Sequence, residues 1–342
     1  MLTDHYYYHQ LNPEHQKVYK QLYDGIRHFE SIISFEDHRV TPACFMQIRK
    51  AVELDNPFFY YHDDQTAPAY TQDNLGKICK VFEKYHADKE TVNKMDRMIE
   101  LNGNRIIHEL GISRQSPSEK LKGIHDYFCT KVRYPKSEKE MHDEASLLDA
   151  HTMFGVFSSG KSVCDGFSKA AKFLLNTLDI PCIIVHGKAS MPDSAGGQLQ
   201  VNHAWNIVRL EHNCYNIDFT WDNNLSDETF ISYNYFNMPD TVFSQDHHSD
   251  RKMPDCISWE ENLFKISGRL FNSRVPAEQY IYQAIAEGSK DIYFLLDDNN
   301  SVSDNYAWIS SVLYKGKNSK KNSGNHSQII CFPTQKIYRI IC

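Results

Sequence analysis

The chain has 342 residues, of which 41% are hydrophobic and 13% aromatic, so it is long enough to bury one large core and a smaller second one. Its 37 basic and 44 acidic side chains give a net charge of −7, and no basic block is present that would neutralise phosphates, so no nucleic-acid partner is expected. The N-terminal sequence lacks the basic and apolar segments of a signal peptide, and no apolar run reaches the ~20 residues that cross a bilayer. These features predict a cytoplasmic protein with no membrane partner, and leave leaderless export open.

Nine cysteines are scattered without a repeating spacing, and this odd number favours free thiols in a reducing compartment over a disulfide framework. No Cys-x-x-Cys pair occurs, so the paired thiolates of a structural zinc site are missing. The other candidate metal ligands are His247 and His248, which adjoin Asp246 and Asp250. Adjacent side chains in a loop do not converge on a metal without a turn that the sequence does not specify. We therefore predict a solvated loop here and no metal.

Residues 1–115 are predicted to form a mainly helical region. Asn12 and Thr41 are suited to cap helices, and each is followed by a proline, which favours the first position of a helix. The next helix start is Ser116, which can form a capping box with Glu119. This helix opens the second predicted unit, residues 116–264.

The second unit combines a helix with a sheet. Apolar residues recur at helical spacing over 163–178, and Pro181 ends this helix. Short β-type runs then cover 182–186, 203–210 and 214–220, and a short polar turn joins the last two. A helix followed by an antiparallel sheet is typical of an α+β fold.

Residues 265–342 are predicted to form a small appended α+β unit. Its elements are a helix at 276–287, a strand at 291–296 and a hairpin whose strands flank 333–335. Residues 315–327 are polar and are predicted to be a solvated loop within this unit. Residues 188–201, which contain two adjacent glycines, are predicted to be a flexible loop that covers the functional cleft.

Cys164 is the residue on which the chemical hypothesis rests. Ser162 is predicted to cap the helix, with Asp165 completing a capping box, and Cys164 then lies in the first turn. The free N–H groups and the positive end of the helix dipole stabilise a thiolate there, which makes the cysteine a nucleophile.

A thiol nucleophile needs a base and a group that orients this base. His203 opens one predicted strand, and Asp218 lies in its predicted partner strand. If the turn between the strands has an even number of residues, both side chains point to the same face as diagonal neighbours, about 7–8 Å apart. An odd number would put them on opposite faces.

Three motifs, in their order and separations, resemble those of bacterial transglutaminase-like proteins. They are residues 162–170 (Ser-Val-Cys-Asp-Gly-Phe-Ser-Lys-Ala), 202–206 (Asn-His-Ala-Trp-Asn) and 217–222 (Ile-Asp-Phe-Thr-Trp-Asp). The resemblance covers about residues 116–240. It implies a papain-like core in which Cys164 is the nucleophile, His203 the general base and acid, and Asp218 the group that orients the imidazole.

The resemblance also implies an oxyanion hole. The backbone N–H of Cys164 is expected to be its first donor, and Tyr134 is a candidate for the second, because relatives place an aromatic donor in this region. Trp205 and Trp221 flank the predicted base and its partner and are expected to line the walls of the cleft. Asp165 stands where vertebrate transglutaminases carry Trp, and the chain is too short for their extra β domains, so calcium activation is not assumed.

Two other classes of function compete with this hypothesis. Residues 155–162 match the G-x-x-x-x-G-K-[ST] pattern of a nucleotide-binding loop, and a helix follows them. A P-loop also needs a buried strand before it, whereas residues 146–154 lack the β-branched run of such a strand. A binding module that keeps the fold without the activity is the second competitor, and the intact triad argues against it.

The sequence thus predicts a cofactor-independent thiol enzyme that acts on a carboxamide of a protein or peptide through a Cys thioester. Its predicted fold is α+β: a papain-like transglutaminase core with a helical N-terminal region and a small C-terminal α+β unit. Amine transfer, deamidation of glutamine and peptide hydrolysis by the same triad stay open, as do the identity of the substrate and the oligomeric state.

Overall fold

The computed structural model describes residues 5–64, 66–135, 149–192, 197–319 and 327–342. Its N-terminal part is mainly helical and also contains a three-stranded antiparallel sheet, in the order β1-β3-β2, which the sequence patterns did not predict. The elements are α1 (Tyr6–Gln10), α2 (Pro13–Arg27), β1 (Ile32–Ser34), α3 (Pro42–Asp55), β2 (Ala69–Gln72), β3 (Ile78–Phe82) and α4 (Lys89–Leu110).

Side-chain caps set the starts of three helices where the sequence predicts them. The side chain of Asn12 accepts a hydrogen bond from the N–H of His15, and that of Thr41 accepts one from Cys44. Ser116 and Glu119 form the predicted capping box at the start of α5 (Pro117–Lys131). Each cap satisfies an N–H group that the helix itself leaves unpaired.

The central part packs a helix against a four-stranded antiparallel sheet, which confirms the α+β fold class. The helices α6 (Met153–Ser158) and α7 (Cys164–Thr177) precede the sheet, whose strand order is β6-β5-β4-β7. The strands are β4 (Cys182–Pro192), β5 (Gln198–Leu210), β6 (Asn213–Ile217) and β7 (His247–Ser249). On α7, Ala170 and Ala171 are fully buried, and such small side chains let the helix lie close to β4 and β5.

The prediction of a flexible loop at 188–201 is wrong for the described part of this segment. β4 continues to Pro192 and β5 begins at Gln198, and the two strands remain paired from Lys188 with Asn202 to Pro192 with Gln198. The β-type sequence pattern identified only the buried ends of the two strands. It missed the outer part of the hairpin because most residues there are exposed. Residues 193–196 lie outside the described ranges.

The predicted strand 214–220 is also wrong in its second half. β6 ends at Ile217, and a short helix, α8 (Phe219–Leu225), begins directly after Asp218. The side chain of Asp218 accepts hydrogen bonds from the N–H groups of Thr220 and Trp221, so this residue is the N-cap of α8.

The C-terminal part forms a second α+β layer. After α9 (Asp240–Phe243) and α10 (Leu263–Ile266) come β8 (Leu270–Phe271), α11 (Arg274–Glu287), β9 (Asp291–Leu296), α12 (Val302–Ser319), β10 (Gln328–Phe332) and β11 (Ile337–Ile341). The predicted helix, strand and hairpin are all present. The predicted loop at 315–327 is wrong as far as Ser319, which ends α12, and residues 320–326 are not described.

β9 packs on two cores because its side chains alternate between the faces of the sheet. Ile292, Phe294 and Leu296 lie in the small core formed with α11 and α12. Tyr293 and Leu295 lie in the large core of the central part. Among the described helices, none is both long and apolar enough to cross a bilayer.

Candidate active site

Cys164 is the first residue of α7, but its helix is not capped as predicted. Val163 occupies the N-cap position and makes no side-chain cap. The buried hydroxyl of Ser162 donates instead to the carbonyl oxygens of Ala150 and Val163. Among the described residues, no side chain caps the first turn of α7, which leaves its N–H groups available near the half-buried thiol of Cys164.

Asp165 does not complete a capping box either, because it faces two histidines. Its Oδ1 lies 2.9 Å from Nε2 of His186, and its Oδ2 lies 3.5 Å from Nδ1 of His151. Burial raises the pKa of Asp165, but these imidazoles and the Lys169 ammonium outweigh that effect and hold the pKa well below its ordinary value. A carboxylate is thus fixed beside the predicted nucleophile.

The structure brings His203 and Asp218 into direct contact. The turn between β5 and β6 has two residues, Glu211 and His212, so the even-numbered alternative is the one observed. Nε2 of His203 lies 2.6 Å from Oδ2 of Asp218, within a hydrogen bond. Burial lowers the pKa of His203, but the charge and hydrogen bond of Asp218, helped by Cys164, raise this pKa to about 9.

The side chain of Cys164 lies close enough to His203 to help raise the pKa of the imidazole. Since Nε2 is engaged by Asp218, Nδ1 is the nitrogen that remains for the sulfur. The three predicted triad side chains therefore follow one another in the order thiol, imidazole and carboxylate. This is the sequence of contacts that a general-base mechanism requires.

Asp218 is fully buried, and all of its contacts favour the ionised form. Oδ1 accepts the N–H groups of Thr220 at 2.9 Å and Trp221 at 3.0 Å. Burial raises the pKa of Asp218, but His203 and His247 outweigh it and lower the pKa strongly. The carboxylate therefore remains charged and fixed in orientation at neutral pH.

The remaining predicted site residues lie around the imidazole. Burial, together with the charges of Cys164 and Asp218, raises the pKa of Tyr134 to about 12, so Tyr134 is a neutral hydroxyl in their vicinity. The rings of Trp205 and Trp221 lie with their centroids 6.3 Å and 5.6 Å from that of His203. Both indoles thus border the imidazole.

His247 is the main site residue that the sequence analysis missed. The predicted solvated loop around it is wrong, because His247 is buried in β7, which pairs with β4. Its Nε2 lies 3.1 Å from Oδ2 of Asp218, and its Nδ1 lies 2.5 Å from Oδ1 of Asp246. The pairing of two strands about sixty residues apart creates this contact, and no local pattern in the sequence signals it.

His203, Asp218 and His247 also meet the spacing of a metal site, since their ligand atoms lie within 4.8 Å of one another. The two imidazole nitrogens, however, already contact the same carboxylate oxygen, at 2.6 and 3.1 Å. Zinc would need each nitrogen at about 2.0–2.1 Å, with the ligands spread around the metal. The observed arrangement fits a hydrogen-bonded network better than a set of metal ligands.

Residues 155–162 do not form a P-loop. Gly155 lies within the helix α6 and not after a strand, and a Cβ added there would lie 2.5 Å from the carbonyl oxygen of Lys161. The Ser162 hydroxyl, which would have to face a metal-bound nucleotide, is buried against Ala150. The structure therefore contradicts the nucleotide-binding hypothesis.

Comparisons with known proteins agree with the motifs. Residues 107–221 match the family model of the transglutaminase-like superfamily. Kyphoscoliosis peptidase of Mus musculus is 24% identical over 202 residues, which are 56% of this chain and 29% of that protein. The Homo sapiens protein of the same name is 22% identical over 179 residues, 49% of this chain and 26% of that protein. The chain thus spans less than a third of these curated relatives.

Two solved structures have partial similarity to the chain. A crystal structure described as a TGase has a TM-score of 0.30 and 19% identity, and the match covers 45% of this chain and 43% of that one. A candidate cysteine protease from Cytophaga hutchinsonii has a TM-score of 0.26 and 13% identity, over 45% of this chain and 61% of that one. The family-model match contains Cys164, His203 and Asp218, so it agrees with the three motifs that this third of the chain is similar to the transglutaminase-like superfamily.

Proposed function

We propose that the chain is a thiol-dependent acyl-transfer enzyme that acts on a carboxamide of a protein or peptide, with Cys164, His203 and Asp218 as its catalytic triad. The observation that carries this proposal is the hydrogen bond of the His203 imidazole to a buried carboxylate, with the Cys164 thiol near enough to help raise the pKa of that imidazole. Single residues of these types usually have structural roles. The combination of all three with a helix N-terminus at the sulfur is what supports catalysis.

In the proposed mechanism, the sulfur of Cys164 bonds to the carboxamide carbon, and the electron pair of the carbonyl moves to its oxygen. The C–N bond then breaks while the His203 imidazolium gives its proton to the leaving nitrogen. Ammonia or an amine departs, and a thioester and a neutral imidazole remain. An amine or water attacks the thioester, His203 takes the proton of this nucleophile, and the Cys164 thiolate is released.

Two groups are proposed to stabilise the negative oxygen of the intermediate. The first is the backbone N–H of Cys164, at the uncapped start of α7. The second is the hydroxyl of Tyr134, whose raised pKa keeps its proton available for donation at neutral pH. Asp218 holds the imidazole in the tautomer and orientation that both proton transfers require.

Hydrolysis of a peptide bond by the same triad is a second candidate function. The observation in its favour is the name of the curated relatives, which are peptidases. The two functions share the thioester and differ in the leaving nitrogen and in the final nucleophile. They are separated by incubating the protein with a glutamine-containing protein and a labelled amine. Incorporation of the amine supports transfer, release of ammonia alone supports deamidation, and new chain termini support peptidase activity.

The triad itself is tested by alkylation with iodoacetamide near neutral pH, followed by mass spectrometry to locate the modified cysteine. Burial raises the pKa of the competing thiols of Cys182 and Cys331 to about 12 and 11, so they should react slowly. We expect fast labelling of Cys164, slowed roughly tenfold or more in His203→Ala. The matched control is His212→Ala, at the exposed turn between β5 and β6, which should label like the wild type. Preferential labelling of another thiol would contradict the proposal.

A further inference from the structure

His247 contacts the same carboxylate oxygen of Asp218 that His203 contacts. Oδ2 of Asp218 is 2.6 Å from Nε2 of His203 and 3.1 Å from Nε2 of His247. Asp218 is therefore held by two imidazoles through one oxygen and by two backbone N–H groups through the other. The mechanism proposed above uses only the first of these imidazoles.

Both ring nitrogens of His247 face carboxylate oxygens. Nε2 faces Asp218, and Nδ1 lies 2.5 Å from Oδ1 of Asp246. An ionised carboxylate only accepts hydrogen bonds, so each nitrogen must carry a proton, which makes the ring an imidazolium. The pKa of His247 agrees with this charge, because burial lowers it but the two carboxylates raise it above its ordinary value.

A second layer of contacts fixes Asp246 behind His247. The Tyr235 hydroxyl donates to Oδ2 of Asp246 at 2.9 Å, and the side-chain amide of Gln335 donates to the same oxygen at 2.6 Å. Burial and the charge of Asp246 raise the pKa of Tyr235 well above its ordinary value, so its hydroxyl remains a donor. Gln335 comes from the turn between β10 and β11, which connects the C-terminal unit to the site.

Aromatic rings surround the His247 imidazole and limit its hydration. The centroid of its ring lies 4.2 Å from that of Phe243, 4.6 Å from that of Trp221 and 5.2 Å from that of Trp205. Among the described residues, the titratable groups in contact with it are the carboxylates of Asp218 and Asp246 and the rings of His203 and Tyr235. Charges act more strongly in such a site than they do at an exposed surface.

We propose that His247 is a positioning residue of the acyl-transfer site, which holds Asp218 against His203 and weakens the hold of Asp218 on the His203 proton. The inference rests on the function proposed for Cys164 and His203. The ring centroids of His203 and His247 are 5.5 Å apart, so the positive charge of His247 opposes the positive charge of protonated His203. His203 thus releases its proton more readily to the leaving nitrogen than it would beside Asp218 alone.

The test is the pH dependence of Cys164 alkylation in the full-length chain, because this measurement needs no knowledge of the substrate. In the wild type, we expect reactivity to change as His203 loses its proton near pH 9. In His247→Gln and His247→Leu, the lost positive charge should move this transition upward by about one pH unit. Gln can keep a hydrogen bond to Asp218 and Leu cannot, so His247→Gln should also keep more of the wild-type rate at neutral pH.

His248→Gln is the matched control, because His248 is exposed on the same strand. It should leave the transition at the wild-type pH, and circular dichroism should show that each variant is folded. If neither His247 variant folds, Asp246→Asn replaces them: it weakens protonation of His247 while keeping the ring, and should move the transition in the same direction. A transition that stays in place or moves to lower pH overturns the inference alone. Failure of Cys164 to react selectively in the wild type overturns the proposed function, and the inference with it.

Discussion

Asp218 is a buried carboxylate that its contacts keep ionised and that raises the pKa of His203. Moving a carboxylate out of water costs several kcal/mol unless hydrogen bonds or opposite charges replace its hydration. Here two N–H groups of α8 and two imidazoles replace it, and the pKa of Asp218 falls despite complete burial. The same carboxylate raises the pKa of His203 to about 9. The contacts that stabilise Asp218 therefore also set the protonation state of His203, the residue proposed to transfer protons.

The raised pKa of His203 makes its contribution to the stability of the fold decrease as the pH rises. In the unfolded chain this imidazole has a pKa of about 6.5. The stabilisation from its protonated form is fully present below that pH and is lost as the pH rises through about 9.

Asp218→Asn should separate the charge of this side chain from its shape. The amide keeps the size of the carboxylate, but it no longer offsets the burial that lowers the pKa of His203. We expect the basic transition of Cys164 alkylation to move below pH 9, and the rate near pH 8 to fall roughly tenfold or more. Glu228→Gln, which neutralises an exposed carboxylate near the end of α8, is the control and should behave like the wild type. A transition that stays at the wild-type pH in Asp218→Asn would contradict the assigned role.

At the scale of elements, the close approach of β7 to β4 is what brings His247 to Asp218. Gly187 pairs with His203 on one side and with Ser249 on the other, and so lies between the two strands that carry the histidines. A Cβ at this position would collide with the backbone carbonyl of His248 and would lie 2.8 Å from the ring of Trp205. Only a glycine allows both contacts.

Gly187→Ala should therefore displace β7 and with it the second imidazole. We expect a loss of about 1–3 kcal/mol in the free energy of unfolding, measured in urea, because backbone atoms of β7 must move to make space. Cys164 alkylation in the folded variant should show the same upward shift of its basic transition as the His247 variants. Lys188→Ala, at the next and exposed position of β4, should change stability by no more than about 0.5 kcal/mol. Equal stability of the two variants would show that β7 does not depend on this glycine.

The sequence predicted elements whose signals are local and missed those whose signals are not. The caps at Asn12, Thr41 and Ser116 were recognisable because the residues that form each hydrogen bond lie within three positions of one another. The motifs around Cys164, His203 and Asp218 were recognisable from the family resemblance. The helix after Asp218 carried a local cap signal, but the β-type residues around it favoured a strand. His247 depends on strand pairing across a large sequence separation, which no local pattern specifies.

At the scale of the whole molecule, the C-terminal unit packs against the central part and also contributes a side chain to the network around the candidate site. β9 contributes Phe294 to the small core and Tyr293 to the large one. Beyond it, Gln335 is buried between Tyr235 and Asp246, to which its amide donates at 2.9 and 2.6 Å. The C-terminal residues thus complete the hydrogen-bond network that ends at Asp218. Removing them should therefore destabilise the central part.

Gln335→Leu tests whether the C-terminal unit supports the site through this one side chain. Leucine fills most of the space but leaves Oδ2 of Asp246 without one of its two donors, so we expect about 1–3 kcal/mol of destabilisation in urea. A loosened Asp246 should also hold His247 less firmly, so Cys164 alkylation at neutral pH should slow while the fold is retained. Thr334→Ala, in the same turn, is the control for general effects of mutating this hairpin and should match the wild type in both measurements. If Gln335→Leu matches this control, the C-terminal unit is not coupled to the triad through Asp246, and the support that it gives must come from the packing of β9.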